Sequence, residues 1–394
     1  MTPVASAPAP TTVRVPYPDL IRFTTEVFTA HGLPADRALA SAEALCHGDA
    51  AGLTSHGLTN LSRLYLPLLA EGRADPAAEP QVLADRGAAV LVDAGRALGL
   101  WQAGAAMDLA AERAERYGIG LVSVRRATHV GCAGHHAARV CGRGMIGLLA
   151  SNCGRQRIAR PPGGAVALLG TNPWSVAAPA GELPPYVLDM STTAVPTGRV
   201  RAAARAGEPI PPGWLADEEG RPVTDPAAFD RGDAHLLWLG AGSGGEHKGF
   251  GLGLMVEVLA ALLPGAGLGP EPEALDGDGG PTGRDDDIGL FALAIAPAAL
   301  RDGTRAGLDA HTLFSTVLAC PPADGAGPVA YPGWHEARRT AEAHRDGVPL
   351  SPALLGELAG IADRFGLRPV ATGARPGAQD GIGTDAGPGA EVGR

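Results

Sequence analysis

Three short segments carry residue types whose spacing could do chemistry. Ser55-His56-Gly57 sets an imidazole beside a glycine at the end of a helical stretch. There the ring is accessible, and its ordinary pKa near neutrality suits general acid work. His129 opens HVGCAGHH (129–136), in which Cys132, His135 and His136 stand at ligand-like intervals. A closed zinc site needs a second ligand pair of matching spacing, and the chain offers none. No metal is therefore expected, and the expected role of these three residues is packing and capping around a helix start. GAGSGG (240–245) is a literal G-x-G-x-x-G between a strand pattern and a helix pattern. In a dinucleotide-binding Rossmann unit the helix runs into a second parallel strand, with an acidic residue about 20 positions on. Here that position lies inside an apolar helix, and the next strand starts near Asp287. The Rossmann reading fails, yet the glycines can still form a phosphate-approaching loop with Lys248 at the helix start. Lys248 is the one lysine among 32 basic residues. Arginine does not replace a compact ammonium in a tight site. There is no Gly-x-Ser-x-Gly elbow and no His-Glu-x-x-His, so hydrolase and metalloprotease chemistry lack their core motifs.

The background composition bounds the class. The 394 residues include 57 Gly and 35 Pro, yet 45% are apolar, which fits a loop-rich globular enzyme and excludes global disorder. A net charge of -10 argues against a nucleic-acid partner. Five cysteines without CxxC spacing disfavour a disulfide framework and favour a reducing cytoplasm. The start, MTPVASAPAPTTVRVPYP, has no basic segment followed by an apolar one, and is expected to be a flexible leader. The apolar run Leu252 to Leu263 is too short to span a bilayer and reads as a buried helix, so no membrane partner is expected.

These segments must be positioned by regular elements. Three- and four-residue apolar spacing predicts helices from about Asp19 to Glu71. AAVLVDA, GIGLVSV and MIGLLASN read as strands separated by helical stretches, a β-α-β-α-β pattern with crossover helices. PYVLDMS, HLLWLG and DIGLFALAIA add strands, and GLGPEPEALDGDGGPTGRDDD reads as an acidic surface loop. The expected organisation is a leader (1–17), a helical N-terminal unit (18–85), an α/β domain (86–300), a helical C-terminal unit (301–369) packing with the N-terminal one, and a disordered tail (370–394).

In family order, the segments SHGLTNLSRLYLP, ATHVGCAGHHA, LLGTNPWSVAAPA, YVLDMSTTAVPTGRV, IPPGWLADEEGRPVTDP, GGEHKGFGLGLMVEVLAALLPGA, DIGLFALAIAP and YPGWHE resemble the malate/L-lactate dehydrogenase-like oxidoreductases that lack a Rossmann fold. The resemblance covers roughly 18–368. It implies an α/β fold of the sulfolactate dehydrogenase type, with a non-Rossmann NAD(P)-binding sheet domain flanked by helical units. It also implies a homodimer with its active site near the interface, and NAD(H) or NADP(H) as cofactor. The implied reaction is hydride transfer to or from C2 of a small 2-oxo or 2-hydroxy acid. Alternatives are reduction of a cyclic imine carboxylate, or a non-catalytic binding protein of the same fold.

Matched to the family, His56 and His129 are the proton-transfer candidates, with His56 the expected donor, and Asp189 orients the catalytic histidine. Ser55, Asn60, Arg63 and Thr171 fall on the substrate side. Asn152, Cys153, Asp189, Met190, Ser191, His247, Lys248 and Gly333 fall on the cofactor side. The chain departs from the family pattern at Asn60, where members carry an arginine that pairs with a substrate carboxylate. It departs again at Cys153, in place of serine, and at Trp334, in place of glutamate. An asparagine cannot form the bidentate pair. Malate is therefore expected to be a poor substrate, and a bulkier or less anionic 2-oxo acid, or a cyclic imine, a better one.

Overall fold

The computed structural model describes residues 12–277 and 281–371. The expected leader up to residue 11 and the tail from 372 lie outside the described residues. The chain begins with a short strand, β1 (Val13–Val15), followed by α1 (Tyr17–Ala30), α2 (Ala35–Ala50) and α3 (Leu66–Ala70). Next come β2 (Gln81–Asp85), β3 (Ala89–Asp93), α4 (Gly99–Tyr117), β4 (Ile119–Ala127), α5 (Ala133–Ala137), β5 (Ile146–Ser151), β6 (Trp174–Ala180) and β7 (Leu183–Met190). An excursion through α6 (Thr197–Ala206), β8 (Leu215–Ala216), β9 (Pro222–Val223), α7 (Ala227–Arg231) and β10 (His235–Leu236) leads to α8 (Glu246–Val256). The chain then returns through β11 (Ile288–Ile295) and continues as α9 (Gly303–Leu318), α10 (Trp334–Asp346), β12 (Val348–Leu350) and α11 (Pro352–Phe365).

The main sheet has seven strands in the order β2-β3-β4-β11-β5-β6-β7. Only β3 and β4 pair in parallel, joined by the crossover helix α4; every other pairing is antiparallel. The late strand β11 slots between β4 and β5, so Ala292 faces Val122 on one side and Leu149 on the other. It follows from these pairings that β3, β4, β5 and β7 all run the same way. Their carboxyl ends share one end of the sheet, so the segments beginning at Thr128, Asn152 and Ser191 emerge together. HLLWLG, expected as a strand, gives only the two-residue β10, in a separate three-stranded sheet.

Side chains alternate across the sheet with the two-residue period of a strand. Leu290 and Ala292 join Met107, Ala110 and Ala111 of α4 in one core, while Phe291 turns to the opposite face, against Ala260. Helix backbones approach the strands closely enough that a Cβ on Gly120 would collide with the Ala110 carbonyl, and one on Gly289 with the Ala260 carbonyl. The helix expected to be buried at 252–263 is α8 continued by a π-turn, Glu257–Leu262. It is buried on one side only, at Val256 and Ala260, and it exposes Leu254, Val258 and Leu262. No helix among the described residues is long and apolar enough to cross a membrane.

A second core joins the two ends of the chain: Val15, Phe23, Phe28 and Leu45 pack with Val348, Leu350 and Leu358. β1 pairs antiparallel with β12, and Arg14 donates to the Gly347 carbonyl at 2.7 Å. Residues 13–17 are thus structured rather than part of a leader, because Val15 is fully buried in that core. α9 packs instead on β6 and β7, with Phe314 against Tyr186 and Tyr331. The acidic loop after Gly267 is tied down by ion pairs: Arg73 holds Asp285 and Asp286, and Arg157 holds Glu271.

Candidate active site

His56 and His129 come together from different elements. His56 closes a single turn, Thr54–His56, that follows α2. His129 lies two residues past β4. Their rings are nearly parallel, with centroids 5.9 Å apart. Ser55 Oγ lies 2.9 Å from His56 Nδ1. His129 Nδ1 accepts the Gly131 N–H at 3.1 Å and lies 2.9 Å from the Tyr65 hydroxyl. A backbone amide can only donate, so Nδ1 of His129 carries no proton and the neutral ring holds its hydrogen on Nε2. Desolvation by the surrounding protein lowers the pKa of both rings; for His56 it falls to about 4, with the His129 charge acting in the same direction.

The turn that carries His56 is anchored from α2. Asp49 accepts the Leu58 N–H at 2.6 Å, and burial pushes its carboxyl up to about 7. Asn60 turns inward, nearly fully buried, and donates to the Ser55 carbonyl at 2.8 Å. Its side chain therefore ties the turn that carries His56 to the following helix. Arg63 points elsewhere, into an open cleft with Arg201 and Arg205 of α6. Between Asn60 and α3 the chain makes a π-turn, Leu61–Tyr65, whose wider winding delivers the Tyr65 hydroxyl to His129.

The other predicted residues lie where the parallel-running strands end. Asp189 accepts the Gly134 N–H in the first turn of α5 at 2.7 Å, and desolvation raises its pKa to about 6. Among the described residues it makes no hydrogen bond to either histidine, so its hold on the site runs through α5. Cys153 Sγ lies 3.6 Å from Thr171 Oγ1, and the Thr171 carbonyl accepts both the amide and the hydroxyl of Thr192. Asn152 is buried, donating to the Gly267 carbonyl and accepting from Gly289 N–H, so it holds two chain segments together. Met190 pairs with Trp174 across β6 and β7, and Ser191 Oγ donates to the Thr193 carbonyl. Gly333, at φ 91°, lies against β7, where a Cβ would meet Val187 N at 2.8 Å. The neighbouring Trp334 packs edge-on against Tyr331.

His247 and Lys248 are exposed in the first turn of α8, and neither makes an ion pair among the described residues. The loop before them holds Gly240, Gly242 and Gly244 at positive φ, and it is stitched to the Thr192–Thr193 segment by the Leu239 N–H. An exposed ammonium without an ion pair among the described residues, at the start of a helix and beside bare glycine backbone, fits an anionic cofactor group. Among the described residues no three His, Cys, Asp or Glu side chains could hold a metal ion. His136 bonds the Val130 carbonyl at 2.8 Å, and His135 packs against His47.

Sequence reasoning did not single out Tyr65, Asp49 or Glu257. The last is a buried carboxylate on the π-turn after α8 that receives Asn172 Nδ2 at 2.8 Å and Gly269 N–H at 2.7 Å. Its acidic side chain inside an apolar run was the available signal.

The fold and the motifs have close relatives. The malate dehydrogenase of Pyrococcus abyssi is 35% identical over 254 residues, covering 64% of this chain and 69% of that protein. The Delta(1)-pyrroline-2-carboxylate/Delta(1)-piperideine-2-carboxylate reductase of Pseudomonas putida is 31% identical over 362 residues, covering 92% of this chain and all of that protein. The crystal structure of malate dehydrogenase from Entamoeba histolytica superposes with a TM-score of 0.83 at 25% identity, covering 91% of this chain and 99% of that one. The malate/L-lactate dehydrogenase family model matches residues 15–359, and the chain belongs to that family of oxidoreductases.

Proposed function

We propose that this protein is an NAD(P)-dependent oxidoreductase that acts at C2 of a small 2-oxo or 2-hydroxy acid. The observation that carries this reading is the pair of stacked imidazoles, each with its Nδ1 already engaged by the protein. Each ring is left its Nε2 for a ligand.

A bound nicotinamide would supply or accept the hydride. The chain's own residues manage the proton. In reduction the substrate oxygen gains negative charge, and His56, steadied by Ser55, delivers a proton to it. His129 donates from Nε2 to the same oxygen or to the substrate carboxylate. In oxidation His56 takes the hydroxyl proton instead. Thr171 and Cys153 border the substrate and cofactor sides at the strand ends. Lys248 and His247, exposed at the start of α8, would hold the cofactor's anionic part, and Asp189, Met190, Ser191 and Gly333 would flank it at β7. Asn152 acts as a positioning residue for the end of β5.

A homodimer is supported by the exposed apolar row Leu254, Val258 and Leu262, at four-residue spacing on one helical face. A cytoplasmic setting is supported by the five free cysteines. Imine reduction is the second reading, favoured by the similarity to the Pseudomonas putida reductase over nearly the whole chain. A panel of 2-oxo acids, 2-hydroxy acids and cyclic 2-imino acids, run with NADH and with NADPH, decides between carbonyl and imine chemistry and between cofactors. Absence of turnover and of cofactor binding throughout the panel would overturn the proposal.

A further inference from the structure

Asn60 is turned inward to the Ser55 carbonyl, and cationic charge is concentrated close by. Arg63, Arg201, Ala204, Arg205 and Asp230 line an open cleft of about 460 Å³. Arg201 is engaged by Asp230, with its guanidinium bonded to that carboxylate at 2.9 to 3.2 Å. Arg63 and Arg205 have no ion-pair partner among the described residues. Glu357, which accepts the Ser62 hydroxyl, is the other acidic group close enough to act on Arg63. Three guanidinium groups thus share one cleft with a single lining carboxylate. Burial lowers the Arg63 pKa, and the like charges of Arg205 and Arg201 lower it further.

The cleft adjoins the catalytic turn. Gly198 of α6 lies against Ser55, where a Cβ on the glycine would sit 3.2 Å from Ser55 Cβ. Residues 198, 201 and 205 fall on one face of α6 by the spacing of an α-helix. At about 1.5 Å per residue, Arg201 and Arg205 stand roughly 4.5 and 10.5 Å along the axis from the Ser55 contact. The cations therefore begin beside the proton-transfer turn and run away from it.

We propose that Arg63, Arg201 and Arg205 form the subsite for a distal carboxylate of the substrate, which is a 2-oxo diacid longer than a four-carbon one. This rests on the 2-oxo acid reading above. The separation of Arg201 and Arg205 along α6 from the Ser55 contact favours a backbone of about six carbons or more.

The test compares two 2-oxo acids of equal length, 2-oxoadipate and 2-oxohexanoate, which differ in the distal carboxylate. The wild-type protein is expected to favour 2-oxoadipate in kcat/KM, and to favour it over oxaloacetate. In Arg63→Gln and in Arg205→Gln the preference for 2-oxoadipate over 2-oxohexanoate drops roughly tenfold or more, mainly through KM. Arg205→Lys recovers part of it. An unchanged preference in both glutamine variants overturns the subsite. So does a change in sedimentation without a change in preference, which would place the arginines against a second copy of the chain. If the wild-type protein reduces no 2-oxo acid with either nicotinamide, the catalytic reading fails separately. Calorimetry with adipate and hexanoate then decides the subsite. Binding of adipate alone, lost in the Arg63→Gln/Arg205→Gln double variant, upholds it, and equal binding of both acids overturns it.

Discussion

The Tyr65 hydroxyl lies 2.9 Å from Nδ1 of His129, the same atom that accepts the Gly131 N–H. Two groups from different elements thus fix the ring and commit its proton to Nε2. Tyr65 makes this contact through the π-turn Leu61–Tyr65, and its buried ring also belongs to the core that joins the two chain ends. In Tyr65→Phe the ring packing stays and the hydroxyl goes. Steady-state kinetics should show kcat lowered roughly five- to tenfold, the worth of one neutral hydrogen bond, with cofactor affinity retained. A kcat equal to wild type would remove Tyr65 from the positioning of His129.

His56 and His129 separate by their kinetics. A positioned acid is worth about 10²–10⁴ in rate. His56→Ala should lose that factor in kcat while nicotinamide fluorescence still reports cofactor binding. His129→Ala should raise KM for the substrate as well as lower kcat. Turnover near wild type in His56→Ala would transfer the donor role to His129.

The pH dependence follows from the direction of the shift. Burial and the neighbouring His129 lower the His56 pKa to about 4. Reduction needs the protonated ring, so its kcat/KM should fall steadily as pH rises above about 4. Oxidation needs the neutral ring, so its kcat/KM should be flat from about pH 5 upward. A break near 6.5 in both directions, the ordinary histidine value, would show a proton donor that is not desolvated.

Lys248→Ala should weaken cofactor binding, measured by nicotinamide fluorescence, with circular dichroism unchanged. Lys248→Arg should restore only part of the affinity, because a planar guanidinium does not replace a compact ammonium. Affinity equal to wild type in both variants would make Lys248 an ordinary surface residue, as its exposure alone would have it.

Asp49 couples the turn that carries His56 to stability. Its folded pKa, about 7, lies above the unfolded carboxylate value near 3.9. The folded state therefore holds this proton more tightly, and the associated stability is full below the unfolded pKa and lost as pH rises through about 7. Asp49→Asn keeps an acceptor for the Leu58 N–H and removes the titration. The Tm of the variant minus that of wild type should become more positive between pH 5 and pH 8. A difference independent of pH would mean that the carboxyl does not titrate in that range.

Local pattern carried much of this protein. The alanine-rich face of α4, its closure at Gly118 with φ 82°, and the apolar runs that became β3, β4, β5 and β11 are properties of short segments, which the chain expresses wherever it is placed. The ordered motifs, read together, likewise identified the family that the comparisons show. Long-range pairing was a different matter. Nothing in DIGLFALAIA says that it inserts between two strands written more than 130 positions earlier, or that Val13–Val15 closes against Val348–Leu350. An apolar strand can satisfy its hydrogen bonds with any exposed edge, so its partner is chosen by the whole core. The site divides in the same way. The residue types at 56 and 248 suggested a proton-transfer and an anion-binding role, because acid, base and point charge are properties of single side chains, whereas position 129 was singled out by the family resemblance. Side-chain direction is set by what surrounds the backbone. Only the folded chain turned Asn60 inward to the Ser55 carbonyl, brought Tyr65 to His129 through a π-turn, and faced Arg63 toward two arginines of α6.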